Sequence, residues 1–242
     1  MFISESSLPL PASSFIRAAG SLVASSPAIA WCQFDQACWQ ETLHQQWHLP
    51  LPATLQGAVL KRKAEFLASR WLVQQQLEQL GIANFLLRNA ADRSPIWPPG
   101  IQASLSHSHG WVVMAATQAP LCVGIDVEEV MTDKIARETA EMLMSPAEHA
   151  LLTGLPLPFA QAATLLFSLK ESVYKALWPQ LHQPMEFHQA VLTALDLHHH
   201  QASLRLTHAF SPAFTQQTPL QARFWLQPDC VITLLTHPLP GQ

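Results

Sequence analysis

The chain is poor in charge and in cysteine. Of its 242 residues only 12% are charged, against 49% hydrophobic. That balance excludes a disordered chain and allows a sizeable core, in one large domain or two small ones. Positive charge is not in excess either. The formal net charge is −4, so composition gives no general drive toward nucleic acid. The cysteines Cys32, Cys38, Cys122 and Cys230 form no C-x-x-C pair. Their spacing fits neither a zinc site nor a disulfide framework and points to a reducing compartment. No apolar run reaches the ~18 residues a membrane span needs. Ala28-Ile29-Ala30 imitates a signal-peptidase site, but no positively charged region or unbroken apolar stretch precedes it. A soluble, cytoplasmic protein is expected.

The charge that is present is bunched. Lys61, Arg62, Lys63, Arg70, Arg88 and Arg93 fall in one block, and Asp126, Glu128, Glu129, Asp133, Glu138, Glu141 and Glu148 in another. Charge alone leaves two readings open. One is a phosphorylated ligand near the first block and a cation near the second. The other is a pair of solvated helix faces.

Residues 1–25 are rich in Ser, Ala and Pro and are expected to pack loosely, with a short strand at Ala28 to Phe34. A helix is expected from about Leu55 to Leu80, because Leu60, Ala64, Leu67, Trp71 and Leu72 recur at about 3.6 residues. Gly81 suits its C-terminal cap. Most basic residues on this helix read as solubilising, but Arg70 sits among Ala68, Ser69 and Trp71, which are small or apolar. Phe85 to Arg88 reads as a strand and Asn89 to Pro95 as a turn, so Arg88 and Arg93 flank one loop. Planar guanidinium forks suit phosphate. Trp97-Pro98-Pro99-Gly100 reads as a rigid turn.

Ser104-Leu105-Ser106-His107-Ser108-His109 leads into a buried-strand pattern at Trp111 to Ala116. Metal ligation by the two histidines is disfavoured, since no Cys or third His lies at ligand spacing. A Ser-His pair for acyl transfer lacks a G-x-S-x-G elbow. His107 is read as a donor to phosphate and His109 as a surface residue.

Leu121 to Val127 is the next strand. Alternation puts Asp126 and Glu128 on one face and Ile125 and Val127 on the other. Two adjacent carboxylates repel unless a cation or water relieves them, and magnesium takes oxygen ligands of this kind. Thr132 to Ala150 reads as helical, with a new start at Ser145-Pro146-Ala147-Glu148. Gln161 to Trp178 is a second long helix with Leu165, Leu169, Val173 and Ala176 as its apolar stripe. Lys170 and Glu171 lie off that stripe. Glu171 and Lys175 share a face at i and i+4, as a surface ion pair or as part of a site with Asp126 and Glu128. Strands are expected at Ala190–Leu195, Ser203–Thr207, Ala222–Leu226 and Cys230–Thr236, with His198-His199-His200 at a hairpin tip. Each half thus offers strands, a long helix and more strands, dividing near Gln118.

Val123-Gly124-Ile125-Asp126-Val127-Glu128 followed by Phe167-Ser168-Leu169-Lys170-Glu171-Ser172-Val173-Tyr174-Lys175-Ala176 resembles the signature pair of the Sfp-type 4′-phosphopantetheinyl transferases. Ser104 to Ser108 is similar to that family's upstream motif. Lys63 to Arg70, Arg93 to Pro98 and Ser145 to His149 resemble the enterobactin synthase component D subgroup.

The resemblance implies an α+β fold of two similar α/β lobes in pseudo-twofold relation, with the site in the interlobe cleft. Residues 1–118 would be the N-terminal lobe with the coenzyme A phosphate contacts, and 119–242 the C-terminal lobe with the magnesium-binding and catalytic motifs. It implies transfer of phosphopantetheine from coenzyme A to a serine of an apo carrier protein, releasing 3′,5′-ADP. Carriers of siderophore, polyketide or fatty acid synthases all fit. Asp126, Glu128 and Glu171 would bind Mg2+. Arg70, Arg88, Arg93, Ser106 and His107 would contact coenzyme A phosphates, and Lys170 and Lys175 would lie beside the pyrophosphate. Glu171 is the candidate base and Lys175 the stabiliser of the leaving phosphate. The resemblance also implies a monomer. Two other readings are a metal-dependent phosphohydrolase using the same carboxylates and an inactive carrier-binding module. One departure from the family pattern is Glu129, where relatives often carry a basic residue.

Overall fold

The Ser- and Ala-rich N-terminal stretch forms strands. A computed structural model describes residues 6–22 and 26–241. Within them, β1 (Ser6–Ser7) and β2 (Ile16–Leu22) pair antiparallel, and β2 pairs β3 (Ala28–Phe34). The loose packing expected of residues 1–25 is corrected here: Leu8, Phe15 and Ile16 are buried in a core. Residues 1–5 and 23–25 of that expectation lie outside the described residues.

The chain divides into two compact units, Phe2–Ala119 and Pro120–Gln242. Each is mixed α/β and carries a five-stranded antiparallel sheet. In the first unit the order is β1-β2-β3-β7-β6, with β6 at Gln102–Ser108 and β7 at Trp111–Thr117. A short helix, α1 (Leu43–Gln46), precedes the long helix α2 (Leu60–Gln79). Leu67, Trp71, Leu72 and Leu77 of α2 pack with Ile16, Val112 and Met114, which is the apolar stripe doing its expected job. The helix begins later than Leu55, because Gly57 is a poor helix former and the chain turns through a 3₁₀ segment at Ala53–Leu55. It ends at Gly81, whose φ of +82 is left-handed, and the Ile82 N–H donates back to Leu77 O at 2.8 Å. That closes the exposed carbonyls of the last turn. The segment expected as a strand at Phe85 to Arg88 is reduced to a two-residue arm, β4 (Arg88–Asn89), paired with β5 (Pro95–Ile96).

In the second unit the order is β8-β12-β11-β10-β9. These are β8 (Leu121–Glu129), β9 (Ala190–Asp196), β10 (Gln201–Leu206), β11 (Pro219–Leu226) and β12 (Cys230–Pro238). Between β8 and β9 lie α3 (Asp133–Leu143), α4 (Pro146–Thr153) and α5 (Phe159–Leu181). Leu165, Leu169, Val173 and Ala176 of α5 join Leu204, Leu220, Phe224 and Leu235 of the sheet in one core. Ser145 separates α3 from α4. Its hydroxyl accepts from Glu148 N, and the Glu148 carboxylate accepts from Ser145 N, a reciprocal cap that satisfies two donors.

Candidate functional site

In the first unit, α2, the β4–β5 arm and β6 line a cleft of about 800 Å³. Arg62, Arg70, Arg93 and His107 face it, with Phe66 and Leu87 supplying apolar wall. Arg70 is its most constrained cation. Its guanidinium lies 4.4 Å from the Phe66 ring centre, and it donates to Ser69 Oγ at 3.3 Å and to Asn89 Oδ1 at 2.5 Å. Asn89 in turn donates to Arg93 O at 2.6 Å, so the turn is tied to the helix through the arginine. Burial pulls Arg70 down to about 10, with Arg62 pushing the same way. The group stays cationic at neutral pH, held among neutral oxygens and beside another cation. A buried cation held this way favours an anionic ligand.

Arg88 lies in an adjoining pocket of about 440 Å³, which Arg70 also lines. Arg62, read from sequence as solubilising, is placed on the cleft. Ser106 is buried on β6. Strand alternation sets it on the face opposite Leu105 and His107, and Leu105 and His107 are the β6 residues that line the cleft. His107 Nδ1 stands 3.8 Å from Glu65 Oε2. Asn89, which no motif marked, is the residue sequence reasoning missed here. Its only signal was its place between Arg88 and Arg93.

In the second unit, β8 carries Gly124, Asp126 and Glu128 on one face. A Cβ on Gly124 would stand 1.9 Å from Ser172 O and 2.6 Å from Ala176 N, so α5 lies directly on the strand at that point. Asp126 is 1% exposed, and Lys175 Nζ donates to its Oδ1 at 2.6 Å. Of the two readings of the Glu171 and Lys175 face, a surface ion pair or part of a site with β8, this contact favours the second. Close approach of α5 at Gly124 brings the strand carboxylate within reach of Lys175. Glu171 belongs to the same cluster. Burial first, and then the Asp126 carboxylate, raise its carboxyl above the usual 4.5, while Lys175 opposes the rise. A groove of about 230 Å³ opens beside it, lined by Lys170, Glu171, Tyr174, Met185, Phe187 and Ala190.

Lys170, expected beside the pyrophosphate, has an inward set of partners. Its Nζ donates to Leu143 O at 2.8 Å and to Glu148 Oε1 at 2.9 Å. Glu148 also accepts from Ser145 N and Leu192 N. Burial pulls the Lys170 ammonium below its usual range, and Glu148 opposes that pull. The pair ties α4, α5 and β9 together. The sequence marked Glu148 through the acidic block, the helix start at Ser145 and the Ser145 to His149 resemblance, but not as the partner of Lys170.

The group expected to hold magnesium consists here of carboxylates and an ammonium. Among the described residues no three His, Cys, Asp or Glu side chains are grouped closely enough to hold a metal. The donor chemistry nevertheless fits a hard divalent cation: Asp126, Glu128 and Glu171 offer only carboxylate oxygens, and Asp126 and Glu171 repel each other as placed.

Residues 51–117 match the model of the 4′-phosphopantetheinyl transferase N-terminal domain, and residues 122–233 match that of the 4′-phosphopantetheinyl transferase superfamily. The chain belongs to this superfamily. It is an enzyme that moves the phosphopantetheine arm of coenzyme A onto a serine of a carrier protein. Among its relatives, enterobactin synthase component D of Salmonella typhi is 33% identical over 204 residues, which is 84% of this chain and 83% of that protein. Enterobactin synthase component D of Escherichia coli K12 is 36% identical over 158 residues, 64% of this chain and 73% of that one. The 4′-phosphopantetheinyl transferase PptT of Mycobacterium tuberculosis is 30% identical over 149 residues, 60% and 65%. No helix among the described residues is long and apolar enough to cross a membrane.

Proposed function

We propose that transfer in this enzyme depends on magnesium held by Asp126, Glu128 and Glu171, and that its carriers are the carrier domains of a siderophore synthase. The observation that carries the site reading is the ion pair of Lys175 with buried Asp126, set beside a Glu171 whose carboxyl is raised by burial and then by that same aspartate. The similarity to the enterobactin synthase component D relatives supports this carrier class. The enzyme is proposed to work as a cytoplasmic monomer.

Arg70, Arg93 and His107 take coenzyme A phosphates, the 3′-phosphate among them, with Arg88 beside them in the adjoining pocket. Ser106, on the other face of its strand, is left out of this set. Lys170 acts through Glu148 and the packing of α5. At the reacting centre the carrier serine oxygen forms a bond to the phosphorus that bears the pantetheine arm. The pyrophosphate P–O bond breaks, and 3′,5′-ADP leaves as an anion. Glu171 takes the serine proton, directly or through a water. Carboxylates are among the side chains that serve as general bases. Lys175 offsets charge on the departing phosphate. A bound magnesium ion would offset the pyrophosphate charge that otherwise repels the approaching hydroxyl.

The phosphohydrolase alternative has no use for the arginine-lined cleft. The inactive-module alternative does not account for the presence of Asp126, Glu128, Glu171 and Lys175 together. Transfer to an apo carrier domain is expected to stop on chelation and to return in proportion to added magnesium, with Asp126→Asn requiring more of the ion for half-maximal rate. Full transfer in excess chelator would overturn the metal requirement.

A further inference from the structure

We propose that Thr233 is a positioning residue for the transfer, holding α5 at the rotation and height that turn Glu171 and Lys175 toward Asp126. This rests on the roles proposed above for Asp126 and Glu171. Thr233 lies on β12 outside both signature motifs, and it is the direct cross-strand neighbour of Asp126. Cross-strand partners share a face with Cβ atoms about 5 Å apart, so Thr233 stands beside Asp126 under α5.

Its hydroxyl is the hub of a wholly buried cluster. Thr233 Oγ1 donates to Ser168 O at 2.8 Å. It lies 2.9 Å from Ser168 Oγ and 2.7 Å from Ser172 Oγ. Ser172 Oγ also reaches Thr233 O at 3.1 Å. A hydroxyl has one hydrogen and two lone pairs. With its hydrogen given to Ser168 O, both serine hydroxyls must donate to Thr233 Oγ1, and Ser172 shares its hydrogen with Thr233 O. Every capacity of the threonine is then used. All three side chains are 0% exposed.

The cluster has a directional job that the apolar stripe does not perform. Leu165, Leu169 and Val173 bury area, but apolar contact tolerates small slides and rotations of a long helix. Hydrogen bonds at fixed distances do not. Ser168 and Ser172 lie one turn apart on the face that meets the sheet, and Glu171 directly precedes Ser172. Rotating α5 to release Thr233 would swing Glu171 away from Asp126. Gly124 sets how close the helix comes to β8 at Ser172 O, and Thr233 sets which way it faces. The motif serines thus gain a role through a residue 61 positions distant from Ser172 in the chain.

The test compares Thr233→Val, which keeps the shape and removes the hydroxyl, with Thr233→Ser, which keeps the hydroxyl. Steady-state transfer is measured from coenzyme A to a recombinant apo peptidyl carrier domain that the wild-type enzyme modifies. Misplacing a reacting group by an ångström costs up to roughly 100-fold. Thr233→Val is therefore expected to lose roughly 10- to 100-fold in kcat, with KM for coenzyme A within about twofold of wild type. Thr233→Ser is expected to recover most of the loss. Ser172→Ala, which leaves the threonine in place, should show the same split to a smaller degree and serves if Thr233→Val does not fold. Wild-type kcat in Thr233→Val or, failing that, in Ser172→Ala overturns the proposal. So does a parallel fall of kcat and coenzyme A affinity that Thr233→Ser does not recover. Glu171→Gln assayed alongside separates the two layers. If it turns over like wild type, the site reading fails. If it is inactive while Thr233→Val is unimpaired, only the positioning proposal fails.

Discussion

Arg70 and Glu171 show how burial prepares a side chain before any ligand arrives. The Arg70 guanidinium is desolvated over Phe66 and bonded to neutral oxygens, so an arriving phosphate recovers electrostatic energy that water no longer supplies. Arg70→Ala is expected to weaken coenzyme A binding roughly tenfold or more, the worth of one charge-assisted hydrogen bond. Binding calorimetry with coenzyme A checks this, and 3′-dephospho-coenzyme A should show a smaller loss if the arginine meets the 3′-phosphate. Glu171 is prepared in the opposite sense. Its carboxyl is raised by burial and then by Asp126. A group whose pKa rises on folding stabilises the fold while protonated and loses that contribution as pH climbs through its folded pKa. Ionised Glu171 therefore costs stability in metal-free protein at neutral pH. Glu171→Gln should melt at a higher temperature than wild type there, and the difference should shrink as pH falls toward the ordinary carboxylate range. A lower melting temperature for the variant at neutral pH would contradict this.

At the scale of elements, the site is the meeting of β8 with α5, and Gly124 is the point of contact. Any side chain there meets helical backbone, which cannot move aside the way a flexible side chain can. Gly124→Ala is expected to cost about 1–3 kcal/mol or more, as overpacking does, and to slow transfer by pushing Glu171 and Lys175 off Asp126. Denaturant unfolding measures the first effect and the carrier assay the second. The two elements were legible in the sequence for physical reasons. Val123, Ile125 and Val127 alternate along the strand and Leu165, Leu169 and Val173 recur at helical spacing, each set buried on one side of its element. What could not be read was how α5 is fixed to its surroundings. The Lys170–Glu148 pair joins residues on separate helices, and Thr233 meets Ser168 across 65 positions of chain. Such pairings follow from tertiary packing and leave no periodic trace. The opposite error came at β2, where Ala18, Ala19 and Gly20 lack strand propensity but all pair with β3, and Gly20 also pairs with β1.

For the whole molecule, two sheets of equal strand number carry different chemistry. The first unit presents cations over an apolar wall, and the second presents carboxylates against an ammonium. The bunched charges of the sequence marked both, but bunching could not tell a ligand site from a solvated face. Burial makes that distinction: Asp126 is almost fully buried, and Arg70 is pulled down to about 10 by desolvation. The central claim is that this enzyme transfers phosphopantetheine with magnesium bound by Asp126, Glu128 and Glu171. Intact-mass spectrometry of an apo carrier domain tests it most directly, with wild type and Glu171→Gln run in parallel, each with coenzyme A and either magnesium or chelator. The account predicts a gain of one phosphopantetheine by the carrier only with wild type and magnesium together. An equal gain with Glu171→Gln, or in chelator, would contradict it.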